Sequence, residues 1–441
     1  MSAEASSLVE PLPLAPFIDG IRNGEISVHD AINETCDRIQ KVDMLVRTVL
    51  PEDGRRERLL REATALESRY PNIAARPPLY GALLGVKDII AVDGFSTRGG
   101  SALPPEVLAM TEATAVLRMR EAGALILGKT VTTEFAAREP GATTNPHNRA
   151  HTPGGSSSGS AAGIAAGLFH VGIGTQTIGS VIRPASFCGV VGFKPTHGRI
   201  PRTGVLTYSN SVDHVGLFTA DAEGMRIAAA AACVDWDTNI ELTGHDMPKI
   251  GVTEGPYLDQ ADEESRAALE VAIEALQRAG STIVRLSMFD NIGMINERHQ
   301  TLVAAEFAEA HRDRFENWGS LYRPFSAQHF EEGATISHAA VIAGRNSCLE
   351  LRAELDNLFK VHQLDLLLSP ASTGAAPLGL SWTGDASMNL PWTHSGLPTV
   401  TLPARRASNQ LPIGVQFVAP FGGDEQLLAW MTYLEGIVTS E

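Results

Sequence analysis

Nucleophilic chemistry needs a hydroxyl or thiol and a group to take its proton. Three segments of this chain could supply the parts. GVKD places Lys87 just behind a short apolar run, GGSSSG offers Ser156 and its neighbours, and GTQTIGS offers Ser180 behind a glycine. Singly, each is ordinary. A serine in a glycine-rich loop is usually a turn residue, and a lysine after a strand is usually a solvated charge. Two other motifs compete with this trio. GALILGKT, residues 123–130, spells the phosphate-loop pattern GxxxxGK[ST] around Lys129. A phosphate loop is a pliable turn between strand and helix, whereas Ala-Leu-Ile-Leu here reads as the strand itself, so nucleotide binding is disfavoured. GSSSG centres Ser157 in a GxSxG pattern. In an α/β-hydrolase that serine follows a strand, and here the polar run before Pro153 precedes it.

The elements that must hold these residues alternate along the chain. Amphipathic or small-residue patterns predict helices over 31–47, 57–70, 111–123, 161–167, 222–233, 263–279 and 339–359. Short apolar runs predict strands over 83–86, 124–127, 168–173, 250–252, 282–286, 364–368, 399–402 and 414–418. Apolar strands between helices predict an α/β fold, with a central sheet covered on both faces. From Thr152 through Ile182 there is no Asp, Glu, Lys or Arg. The three serines Ser156 to Ser158, with His170 and Gln176, do not suit a lipid-facing helix. The run reads instead as a tightly packed interior where glycines let backbones approach closely.

Composition narrows the function classes. The chain has 441 residues and a formal charge of −16. That charge argues against a nucleic-acid partner and against an anionic membrane surface. The cysteines Cys36, Cys188, Cys233 and Cys348 form no CxxC and read as buried thiols in a reducing, cytoplasmic setting. No basic-then-apolar leader opens the sequence. No His, Asp, Glu or Cys cluster has metal-ligand spacing, so neither a metal nor an organic cofactor is expected.

Taken together, the three segments resemble the amidase signature family, and the likeness covers most of the chain. Ser156 and Ser180 lie 24 positions apart, as in the family. NPHNRAHTPGG, VGFKPTHGRIPRTGV, DHVG at residues 213–216, LDLLLSP at residues 364–370 and LPIGVQFVAP also fit. The resemblance implies an amidase signature fold: one domain over residues 1–441, with a large mixed, twisted sheet. Within it, residues 1–75 would form an N-terminal helical segment and 76–220 the signature core. Residues 285–335, with Trp318, Tyr322, Phe325 and Phe330, would be either a substrate-covering segment or ordinary helix packing.

The resemblance further implies a Ser–cis-Ser–Lys site. Ser180 would be the nucleophile, Ser156 the bridging serine after a cis Gly155–Ser156 peptide, and Lys87 the base. Backbone amides of Thr177, Ile178, Gly179 and Ser180 would cradle the oxyanion. Lys87 must then act as a neutral amine, although an exposed lysine titrates near 10.4. Burial disfavours the charged form, and the uncharged run would provide that environment.

Three residues depart from the family's usual GTDTGGSIR. Gln176 stands for Asp, Ile178 for Gly and Ile182 for Arg. Losing the Asp and Arg together avoids an unpaired buried charge. Arg183 is a candidate for the vacated space. A β-branched Ile178 resists positive φ, so position 178 must sit at negative φ or the cradle must change shape. The expected activity is hydrolysis of a small neutral amide, with aryl amides, esters and carbamates as adjacent choices. Two rivals stand beside it: the glutaminase subunit of an amidotransferase complex, and a non-catalytic amidase-like binding protein. Monomer and homodimer are both open.

Overall fold

The computed structural model describes residues 8–240, 242 and 247–439. Among these residues ten strands run in chain order: β1 (Leu83–Lys87), β2 (Leu125–Thr130), β3 (Val171–Gln176), β4 (Val191–Lys194), β5 (His214–Thr219), β6 (Lys249–Glu254), β7 (Thr282–Ser287), β8 (Leu366–Pro370), β9 (Thr399–Arg406) and β10 (Pro412–Val418). They form one sheet in the order β2-β1-β3-β5-β4-β9-β10-β8-β6-β7. Pairing is parallel among β2, β1 and β3 and among β8, β6 and β7, and antiparallel through the middle. The sheet is large and mixed, as the resemblance implies. β1, β2, β3 and β10 are buried at every residue, as strands covered on both faces must be. β7 is the partly exposed edge strand.

The elements that matter for the site are α1 (Ser158–Ala165), α2 (Ile182–Cys188), α3 (Ile292–Trp318), α4 (Pro324–Ala334), α5 (His338–His362) and α6 (Leu390–Ser395). All eight residues of α1 and all seven of α2 are buried. The uncharged run is therefore interior. Its small residues answer a packing demand. A Cβ at Gly174 would lie 2.6 Å from the Ser157 hydroxyl oxygen, and one at Gly179 would lie 2.3 Å from Asn389 Oδ1. Backbone and side chain meet there at distances only glycine allows.

Several boundaries moved. The predicted helix over 31–47 is three pieces, Val28–Arg38, a π-turn Ile39–Asp43 and Met44–Val46. The strand predicted over 168–173 begins at Val171, because Gly167 at φ +65° closes a turn and His170 N–H bonds to the Leu83 carbonyl. An apolar run does not by itself mark where a turn ends and a strand starts. α3 escaped prediction for a clearer reason. Its buried stripe includes His299, Glu306 and His311 beside Ile295, Leu302 and Phe307, and three polar residues on the inner face hide a helical repeat.

Lys129, the phosphate-loop lookalike, lies within β2 and no helix starts there. Its ammonium is buried against Asp88 at 2.9 Å and Thr97 at 3.2 Å. Ser157, centre of the GxSxG pattern, is buried and precedes α1 without a strand before it. All four cysteines are free and buried.

Candidate active site

β1 ends at Lys87, whose side chain is fully buried. Its Nζ lies 2.7 Å from Ser156 Oγ, 3.0 Å from Ser157 Oγ and 2.8 Å from Thr175 Oγ1. Three hydroxyls surround the amine, and among the described residues no carboxylate pairs with it. Burial therefore pushes the Lys87 pKa well below the usual lysine range, with Asp213 pulling weakly the other way. A neutral amine has two N–H groups and one lone pair. The Ser157 hydroxyl donates to the Thr175 carbonyl at 3.1 Å and accepts from the Thr175 amide at 3.2 Å. It can only accept from Lys87, so the lone pair is left for the hydroxyl of Ser156 or Thr175.

The Gly155–Ser156 peptide is cis, as the resemblance implies. Ser156 and Ser180 both line a cavity of 360 Å³, together with Thr177, Ile178 and Gly179. Lys87 lies behind Ser156 rather than in the cavity. The structure thus joins Lys87 to Ser156 directly and brings Ser180 to the same cavity wall. No hydrogen bond links the Ser156 and Ser180 hydroxyls among the described residues.

The loop between β3 and α2 is held from behind. Gln176 Oε1 accepts from the amides of Val181 at 2.8 Å and Ile182 at 3.0 Å, capping α2, while Nε2 donates to Thr393 Oγ1 at 2.9 Å. An Asp could accept those amides but could not make the last bond. Thr177 Oγ1 donates to Asp213 Oδ1 at 2.6 Å, and Asp213 Oδ2 accepts from the amides of Tyr208 and Ser209. Burial pushes the Asp213 pKa up, against those three donors. Ile178 stays out of the positive-φ region. The backbone N–H groups of Ile178, Gly179 and Ser180 have no partner within the described protein. Such amides facing a cavity can stabilise a developing oxyanion.

Arg183 finds its partners outside the loop between β3 and α2. Its guanidinium donates to the Gly155 carbonyl at 2.6 Å, to Thr383 Oγ1 at 3.2 Å and to the Gly384 carbonyl, bracing the segment before Ser156. Burial lowers its pKa to about 10. At the rim stand one exposed cation, Arg138, and one exposed carboxylate, Asp385. From α3, Asn296 and Gln300 reach the cavity. The four aromatics of that region do not. Phe330 stacks on Phe315 and Tyr322 packs on Phe135, so these two serve helix packing, while Phe325 is exposed.

Sequence reading missed Ser157 and Thr175 as partners of Lys87, and Tyr208, Trp382, Asn296 and Gln300 as cavity lining. Ser157 was visible only as a member of a serine run. Thr175 sits 88 positions from Lys87, brought near by β1–β3 pairing, and no spacing signals that.

A buried lysine on a serine, a second serine on the same wall, and free amides beside it are thus gathered at one cavity. The chain belongs to the amidase family, whose model matches residues 30–428. That places it among hydrolases of C–N amide bonds. It is 30% identical over 439 residues to AtzE, the 1-carboxybiuret hydrolase subunit of Pseudomonas sp. (strain ADP), covering 91% of this chain and 93% of that one. It is 31% identical to a glutamyl-tRNA(Gln) amidotransferase subunit of Geobacter metallireducens (strain ATCC 53774 / DSM 7210 / GS-15), covering 95% and 98%. Among solved structures, the native peptide amidase from Stenotrophomonas maltophilia superposes with a TM-score of 0.82 at 26% identity, covering 97% and 96%. No helix among the described residues is long and apolar enough to cross a membrane.

Proposed function

We propose that Ser180 attacks the carbonyl carbon of a small amide and carries the acyl group. The Ser180 proton passes to Ser156 as the Ser156 proton passes to Lys87 Nζ. Collapse of the tetrahedral intermediate returns the proton along the same path to the departing nitrogen. Water then cleaves the acyl-enzyme by the same relay. Amides from Thr177 to Ser180 hold the oxyanion. The observation that carries this reading is Lys87 Nζ, fully buried and 2.7 Å from Ser156 Oγ.

The cavity volume fits a small molecule. Rim charges of opposite sign, amide and hydroxyl lining, and an Arg183 already engaged by the protein favour a neutral substrate. Tyr208 and Trp382 in the wall suit an aryl group, and esters and carbamates share the same tetrahedral chemistry. We assign residues 285–335 to the cover of the site through Asn296 and Gln300, within one catalytic unit that works as monomer or homodimer. The free cysteines agree with a cytoplasmic setting.

A second reading, a glutaminase subunit that passes ammonia to a partner, is favoured by likeness to amidotransferase subunits. A hydrolysis screen over amides, esters, carbamates and glutamine, run beside Ser180→Ala, separates the two. Turnover of small amides without a partner supports the first, and strict glutamine dependence the second. A fluorophosphonate probe is expected to modify Ser180; an unlabelled Ser180 in folded protein leaves only a non-catalytic binding protein.

A further inference from the structure

The oxyanion loop shows how its amides are aimed, and by which residues. The Thr177 carbonyl lies 3.0 Å from His299 Nε2, and the Ile178 carbonyl accepts from Thr393 Oγ1 at 2.7 Å. His299 sits on α3 and Thr393 on α6; both are buried and neither lines the cavity. In a trans peptide the C=O and the following N–H point in opposite directions. Anchoring the Thr177 carbonyl at His299 therefore turns the Ile178 amide away from α3. Anchoring the Ile178 carbonyl at Thr393 turns the Gly179 amide away from α6. Those are two of the amides left without a protein partner, on residues that face the cavity.

The donor role of His299 is enforced by its surroundings. A carbonyl can only accept, so Nε2 carries a proton. His299 Nδ1 faces His394 Nδ1 at 3.1 Å, and one of that pair must be the acceptor. His394 Nε2 lies 3.0 Å from Ser347 Oγ, and Cys348 Sγ lies 3.3 Å from His394 Nδ1. With both rings neutral, the network assigns Ser347 O–H to His394 Nε2, His394 Nδ1–H to His299 Nδ1, and His299 Nε2–H to Thr177. Burial lowers the pKa of both histidines, in keeping with neutral rings. The chain runs from α5 through α6 and α3 to the loop, and it spans three helices to fix one peptide plane.

The geometry points to His299, supported by His394, and to Thr393 as positioning residues that aim the Ile178 and Gly179 amides at the developing oxyanion. This rests on the acyl-enzyme reading above. It also gives α3 a role beyond lining the cavity: the helix that presents Asn296 and Gln300 also sets the loop.

The test compares His299→Phe, His299→Gln and Thr393→Val, using 4-nitrophenyl acetate turnover and the rate of Ser180 modification by a fluorophosphonate. Gln keeps an N–H near the Nε2 position and Phe does not. Loss of one oxyanion donor typically costs about 10²–10³ in rate. A misaimed donor is expected to cost about 10–100-fold in kcat with KM within about twofold. His299→Gln is expected to recover to within about threefold of the parent, as no general packing defect would predict. The inference falls if folded His299→Phe keeps the parent kcat, or if His299→Gln is as slow as His299→Phe. Should His299→Phe not fold, Thr393→Val decides alone: about tenfold lower kcat supports the inference and an unchanged kcat overturns it. If the parent protein itself is not labelled at Ser180, the acyl-enzyme reading has failed instead.

Discussion

At Lys87 an ammonium would have to be held by three hydroxyl oxygens alone, without a salt bridge and without solvent. Its native pKa lies below the ordinary 10.5, so between those values the unfolded chain binds a proton that the folded chain does not. Stability then rises with pH across that window, and at neutral pH the lysine is a cost. Lys87→Met is expected to unfold at higher temperature than the parent at pH 7, with the advantage shrinking as pH approaches 10.5, while kcat/KM falls about 10²–10⁴-fold. A Met variant less stable than the parent at pH 7 would mean the amine is charged in the fold. Below the native Lys87 pKa, parent activity is expected to fall, since the proposed base is then protonated. Ile178 belongs to the same scale. It lines the cavity at a non-positive φ, so its side chain limits space and its backbone is unstrained. Ile178→Gly is expected to raise kcat/KM for bulkier acyl groups about tenfold relative to acetyl. The acyl-chain profile measured on both proteins is the check, and an unchanged profile contradicts this role.

At the scale of elements, α2 and β2 each depend on one polar side chain. Gln176 caps α2 and ties it to α6 through Thr393. Gln176→Leu leaves two buried amides without acceptors and is expected to cost roughly 2–4 kcal/mol in urea unfolding. Gln176→Glu keeps the acceptor oxygens but brings in a buried charge. In β2, Lys129 neutralises Asp88, the residue after Lys87. Burial raises the Asp88 pKa and lowers that of Lys129, and the pair offsets both shifts. Removing one partner of such a pair costs about 3–5 kcal/mol, so Lys129→Met is expected to destabilise by that order. Asp88→Asn combined with Lys129→Met should recover part of the loss, and a double variant no better than the single one would deny the pairing. ATP is expected to leave the melting temperature of the parent unchanged.

Across the molecule, eight of the twelve histidines among the described residues have lowered pKa values, in every case chiefly by burial. They are His147, His170, His197, His214, His299, His311, His329 and His394. His170 and His311 fall to about 3, and His147, His197, His329 and His394 to about 4. From the ordinary 6.5 down to those values the unfolded chain binds more protons than the folded one, so stability is lost as pH falls. Buried carboxylates such as Asp424 and Glu435, with raised pKa values, act in the opposite sense and offset part of this. The histidines are more numerous, and denaturant midpoints are expected to drop steeply from pH 6.5 to pH 4. A flat midpoint over that interval would show that these rings are solvated.

Family membership was legible in the sequence because it rests on several short motifs whose residue types are read directly, and the α/β class because apolar strands alternate with helical patterns; the motifs also supplied the Lys87 and Ser156 that the fold joins at 2.7 Å. The buried character of residues 152–182 was legible too, since a long uncharged run rich in glycine, serine and alanine suits an interior and little else. The three-hydroxyl cage of Lys87 was not, because Thr175 reaches it only through pairing of β1 with β3 across 88 positions. Nor was the support of the loop carrying Thr177 and Ile178, which comes from α3 and α6, 122 and 215 positions away. Long-range partners of this kind are chosen by the packing of whole elements. A polar residue such as His299 on a buried helical stripe looks, along the chain, like an interruption, and only the fold shows which carbonyl it meets.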